Sequence, residues 1–215
     1  MTSLALLRLP TIRRALLGWG SLTQDGGEPL AALGKYRTAA SASPHCAQVW
    51  NNVGLCFFDC REHTAAVACL KKAMSLEPLE WIIAYNLGLV CLAKGQDASA
   101  FRYLHTAVNL NPGFAASCML LAVCLSRLGD HENASAAYER CLSLEVADHI
   151  AELNYAISLF NHGDETASAA HLRRHDQLVE GLSAREQDAA TLDDQVLRQS
   201  SALRKALGLP LLEPP

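Results

Sequence analysis

Between residues 47 and 182 the hydrophobic positions recur three or four apart, as on the buried side of a helix, and the whole arrangement returns every 34 residues. Gly20, Gly54 and Gly88 lie in one column, which Ala122 and Ala156 continue. Ala32, Ala66, Ala100, Ala134 and Ser168 form a second, and Tyr36, Leu70, Leu104, Tyr138 and Leu172 a third. Ala39, Ala73, Ala107, Cys141 and His175 make a fourth, Pro44, Pro78 and Pro112 a fifth, and Gly27, Gly95, Gly129 and Gly163 a sixth. Six registers sharing one period do not arise from composition. Each period predicts two antiparallel helices, the first ended by a glycine in the left-handed region and the second by proline. A glycine inside a helix costs about 1 kcal/mol against alanine, so Gly54 and Gly88 must permit a close approach. The expectation is that Gly54 faces Ala66 where the helices cross, with Trp50, Val53, Phe57 and Leu70 filling the space around them.

The order W-x2-[LV]-G-x2-[FY], then the alanine columns, then proline, resembles the tetratricopeptide repeat. That resemblance implies an all-α, right-handed superhelical solenoid with helix pairs at 13–46, 47–80, 81–114, 115–148 and 149–182, after an extension at 1–12. Past residue 182 the period is lost. Leu192, Val196, Leu203 and Leu207 then form one stripe, flanked by Asp193, Asp194, Arg198 and Arg204. A solenoid end needs its apolar face covered, so residues 183–215 are expected to be a capping helix and a tail.

Half of the 215 residues are hydrophobic and only 6% aromatic, which favours close-packed helices over a β-sandwich. A net charge of -4 leaves no basic footprint for nucleic acid. The eight cysteines (46, 56, 60, 69, 91, 118, 124 and 141) include no C-x-x-C pair and mostly occupy apolar helix positions. Free thiols acting as small hydrophobes are expected, in a reducing, cytosolic compartment with no secretory signal. Tyr103–Ser126 carries no formal charge, but Asn109, Asn111, Pro112 and Gly113 divide it into helix, turn and helix. The first 19 residues are basic and apolar. They read as a helix of the first repeat, with a mitochondrial presequence as the alternative.

The first helix of each pair should line a concave face with positions 2, 5, 6, 9, 12 and 13, while 4, 7, 8 and 11 pack inward. Counting from Ala47, the expected partner-binding groove contains Asn51, Asn52, Leu55 and Phe58, then Ile82, Tyr85, Asn86, Leu89 and Leu92. The fourth repeat adds Met119, Leu120 and Val123, and the fifth Leu153, Asn154, Ile157 and Phe160. Such a surface suits the apolar side chains of a partner segment. Asn52, Asn86 and Asn154 share position 6. They resemble the asparagine ladder with which some tetratricopeptide proteins hold an extended peptide by its main chain. The alternative is that these amides bond to the neighbouring repeat and orient the stack. A chaperone-tail clamp is not expected: of Asn51, Leu55, Asn86, Ala116 and Leu120 only Asn86 fits, and the cations that would grip a carboxylate are missing.

Little catalytic chemistry is legible, no cofactor is expected, and the reading is that of a non-enzyme. His171 and His175 have metal-ligand spacing but fall at core-type positions and lack the glutamate of HExxH. Cys56 and Cys60 are four apart with no partner pair. Neither a G-x-S-x-G turn nor a phosphate-binding glycine loop occurs.

Longer phrases carry a closer likeness. LGKYRTAAS, VWNNVGLCFF, AAVACLKKAMSLEPLEWIIAYNLGLVCL and ASAFRYLHTAVNLNP, then MLLAVCLSRLGDHENASAAYERCLSLE and LNYAISLFNHGDETASA, resemble the C-terminal portion of the Bardet–Biedl syndrome protein four family, the tetratricopeptide subunits of the BBSome. The likeness runs from about Ala15 to Leu182 and implies an interaction scaffold that helps carry membrane proteins to cilia. It implies contact with other BBSome subunits, one of them small and extended, and links to pericentriolar satellite protein and dynactin. Location at the centrosome, centriolar satellites, basal body and cilium follows from it, with only indirect membrane contact. Two other readings remain: the peptide-recognition arm of an enzyme such as O-linked N-acetylglucosamine transferase, or a mitochondrial tetratricopeptide protein.

Overall fold

The computed structural model describes residues 44–144, 148–183 and 194–210. Among these residues it contains nine α-helices and no strand. They are α1 (Ala47–Asp59), α2 (His63–Leu76), α3 (Trp81–Ala93), α4 (Asp97–Leu110), α5 (Ala115–Leu128), α6 (His131–Leu144), α7 (His149–His162), α8 (Glu165–Ser183) and α9 (Asp194–Ala206). The expected helix pair at 13–46, its column residues, the extension at 1–12, and Leu192 and Asp193 lie outside the described residues, apart from Pro44 to Cys46. Four of the expected five pairs are therefore described.

Helices pack most closely within the pairs α1–α2, α3–α4, α5–α6 and α7–α8, and each pair then leans on the next. The odd-numbered helices also touch in sequence, α1 on α3, α3 on α5 and α5 on α7, as expected of a stacked array. Ala66, Leu70 and Ala73 are buried in one core cluster and Ala100, Leu104, Ala107, Ala134 and Tyr138 in a second, larger one, with Val67, Met74, Ile82 and Tyr103 packed against both. Pro78 and Pro112 each stand two residues beyond the last residue of α2 and α4.

The glycine column makes room for a leucine of the second helix. A Cβ at Gly54 would sit 2.7 Å from Leu70 Cγ and 3.2 Å from the Ala66 carbonyl oxygen. At Gly88 it would sit 2.4 Å from Leu104 Cγ. Gly54 thus faces the Ala66 backbone as expected, and the branched side chain of Leu70 lies closest of all; Leu104 fills the same notch over Gly88. Trp50 lies only partly buried beside it and donates its indole N–H to the Pro44 carbonyl at 2.9 Å.

Gly95, Gly129 and Gly163 have φ of +71°, +81° and +94°. Each is followed by an N–H that reaches back five residues: Gln96 to Cys91, Asp130 to Leu125 and Asp164 to Leu159. The first described pair makes the same bond, Glu62 to Phe57 at 2.9 Å, but with Arg61 at φ +64° in the glycine's place. A side chain there is strained by about 1 kcal/mol. Arg61→Gly should therefore raise stability by about 1 kcal/mol, measured as a rise in the thermal unfolding midpoint.

None of the eight cysteines, all among the described residues, forms a disulfide, and Cys56, Cys91, Cys118, Cys124 and Cys141 are buried. Burial pushes the thiols of Cys56 and Cys124 up to about 11. They behave as small hydrophobes, not as nucleophiles.

Candidate partner-binding surface

Successive odd-numbered helices meet along a seam in which position 5 of one faces position 6 of the next. Asn86 Nδ2 donates to Asn51 Oδ1 across α3 and α1 at 2.8 Å. Asn154 Nδ2 approaches Met119 Sδ across α7 and α5 at 3.9 Å. Both links join residues 35 apart. Phe114, which enters α5, lies edge-on against Tyr85 with ring centroids 5.3 Å apart. Burial also pushes the Tyr85 phenol well above the ordinary tyrosine range.

This seam corrects the expected groove. Tyr85 and Asn86 have no exposed surface, and Met119 and Leu120 keep 2%. Asn51, Leu92, Val123, Leu153, Asn154 and Ile157 are buried as well. The physical reason is spacing: stacked helix pairs bring neighbouring first helices close enough that positions 5 and 6 interlock. What remains partly open is Asn52, Leu55 and Phe58 on α1, Ile82 and Leu89 on α3, and Phe160 on α7. Among the open apolar residues, Leu55 packs into neither core cluster.

The three asparagines therefore do not form one open ladder. Asn86 is spent on Asn51 and Asn154 lies against Met119, which matches the alternative in which these amides orient the stack. Asn52 alone is partly exposed, and its Oδ1 accepts from Asn51 Nδ2 at 3.4 Å. The result is a relay from Asn86 through Asn51 to Asn52 at the open face, while Asn86 Oδ1 is buried without a hydrogen-bond partner.

His171 and His175 turn to different partners. His171 Nδ1 lies 2.6 Å from Glu152 Oε2, and His175 Nδ1–H donates to the His149 carbonyl at 2.7 Å. No group of three His, Cys, Asp or Glu residues among the described residues could hold a metal ion. No described helix is long and apolar enough to cross a membrane.

Two polar features escape a reading by columns. Arg127 Nε lies 3.0 Å from Asp97 Oδ1, and its Nη1 donates to the Leu92 carbonyl, tying α5 to the preceding pair. Glu152, at the repeat position of Trp50, is buried. The available signal was paired: positions 4 and 23 turn polar together in the last repeat, as Glu152 and His171.

With this geometry in hand, known proteins give a consistent answer. Tetratricopeptide-repeat families match residues 17–73 and 115–145. The chain is 42% identical over 170 residues to BBSome complex member BBS4 of Bos taurus and 40% identical over 176 residues to that of Xenopus tropicalis. It is also 36% identical over 167 residues to the BBS4 homolog of Drosophila melanogaster. The chain is a tetratricopeptide-repeat relative of BBSome complex member BBS4. The three alignments cover 79%, 82% and 75% of the chain but 33%, 34% and 34% of the relatives, so the chain spans about a third of the length of the BBS4 proteins it matches. Solved structures agree on the fold alone. The crystal structure of MamA superposes with a TM-score of 0.68 at 18% identity, over 84% of this chain and 99% of MamA. A chain of the APC/C hetero-tetramer Cut9-Hcn1 does so with a TM-score of 0.71 at 16% identity, over 84% of this chain and 34% of that one.

Proposed function

We propose that this BBS4 relative is a non-enzymatic scaffold that binds other BBSome subunits through the open strip on its odd-numbered helices. The likeness to BBS4 proteins of vertebrates, fly and worm, at 33–42% identity, carries this reading. The strip supports it physically, because Leu55 and Phe58 on α1, Ile82 and Leu89 on α3, and Phe160 on α7 leave apolar surface, with an amide at Asn52 on α1. An extended segment of a small subunit would bury its own apolar side chains there. On this reading the chain takes part in moving membrane proteins to cilia and meets membranes only through its partners. Links to pericentriolar satellite protein and to dynactin would place it at the centrosome and basal body. The test is affinity capture of the tagged chain from ciliated cells. Recovery of BBSome subunits is the expected result; recovery of chaperones without them would overturn the proposal.

A further inference from the structure

The C-terminal end of the array differs chemically from its middle. The column that holds Ala73 and Ala107 in earlier repeats ends in His175, which keeps only 3% of its surface. Its Nδ1–H donates to the His149 carbonyl, and the two imidazole rings lie 5.7 Å apart. The adjacent Asp176 pairs with Arg204 of α9, with 15% and 9% of the two side chains exposed. Arg204 also donates to the Pro210 carbonyl at 3.2 Å, while Val196 and Leu203 of α9 are buried in the shared core. The ion pair that ties α9 to the array thus adjoins a buried imidazole.

The charged groups acting on His175 are His149, Asp176 and Arg204, one from each of the three elements, and further titratable groups stand close by. Helix α7 and its cap supply Asp148, His149 and Glu152, α8 supplies His171 and Asp176, and α9 supplies Arg204. Each carboxylate is already engaged. Asp148 Oδ1 accepts from the Ile150 and Ala151 N–H groups, Glu152 faces His171, and Asp176 holds Arg204. A proton added to His175 would find no free counter-ion among them.

We propose that His175 is a proton-operated latch on α9. While neutral, it fills its site and leaves Asp176 to Arg204. Once charged, it stands as a second cation beside His149 and Arg204 and competes for Asp176, so α9 detaches and uncovers the end of α7. Burial already holds the imidazoles of His175 and His149 below the ordinary histidine value. The sign follows: docking is favoured above the ordinary value near pH 6.5 and is lost as the pH falls below it. At pH 5.5 the detached form gains up to about tenfold over pH 7.5 from His175.

Hydrogen exchange of the 215-residue chain at pH 7.5 and 5.5, corrected for intrinsic rates, tests this directly. Peptides from α9 should lose up to about tenfold in protection relative to those from α3 and α4. His175→Asn keeps an N–H for the His149 carbonyl but cannot charge, and should remove the pH response. His171→Gln should leave the response in place, and Asp176→Asn should loosen α9 at both pH values. Unchanged relative protection of α9 in the wild type overturns the latch, and that comparison stands even where a variant fails to fold. A response that survives in His175→Asn, or vanishes in His171→Gln, overturns it equally.

Discussion

Gly88→Ala should destabilise the array by about 2 kcal/mol, although alanine is the better helix former by about 1 kcal/mol. The added methyl would lie 2.4 Å from Leu104 Cγ and 2.6 Å from its Cδ2. Leu104 is fully buried, so its side chain has nowhere to withdraw without disturbing α3, α4 and α5. Leu104→Ala alone should cost about 3 kcal/mol by opening a cavity over the glycine. Combining the two places the new methyl in that cavity, so the pair should cost clearly less than the sum of the single changes. Urea unfolding followed by circular dichroism reads all three. Strict additivity would mean that the glycine and the leucine do not share one space.

Asn86→Ala should cost about 2 kcal/mol. The change removes the donor to Asn51 Oδ1, and that oxygen sits in a seam from which water is largely excluded, Asn51 being 7% exposed. Replacing both Asn51 and Asn86 by leucine should recover much of the loss, because neither side chain of the pair is then left facing an unmatched amide. A drop in the melting temperature, with unchanged partner affinity of the folded fraction, identifies Asn86 as part of the stacking. The opposite pattern would return it to the binding surface.

These two sites mark where sequence patterning succeeds and where it stops. Gly54, Gly88, Pro78, Pro112, Gly95, Gly129 and Gly163 reveal helix pairing and turn type because each answers a local demand on the backbone or on the nearest helix. The paired helices and the all-α tetratricopeptide fold were legible for that reason. Arg61 breaks the glycine column yet adopts the same left-handed turn, because the bond from Glu62 to Phe57 holds the backbone there. Openness of the concave face is a different kind of property. Whether Asn86 or Met119 meets solvent depends on the distance between successive odd-numbered helices, which no single repeat encodes. Six of the expected groove residues stay partly open (Asn52, Leu55, Phe58, Ile82, Leu89 and Phe160), whereas Tyr85, Asn86 and Met119 interlock in the seam. The Glu152–His171 contact escaped for a related cause: each residue looks like a lone polar exception until the fold joins them at 2.6 Å.

On the proposed function the open strip on α1 and α3 receives the partner, and the asparagine seam does not. Leu55→Lys tests it most directly, since Leu55 is partly exposed and packs into neither core cluster. The variant should be compared with Lys72→Glu on the exposed side of α2 by parallel capture of BBSome subunits, with a melting curve for each protein. Leu55→Lys should lose at least about tenfold in binding and Lys72→Glu none, with neither melting temperature changed. Wild-type binding by Leu55→Lys would contradict that role of the strip.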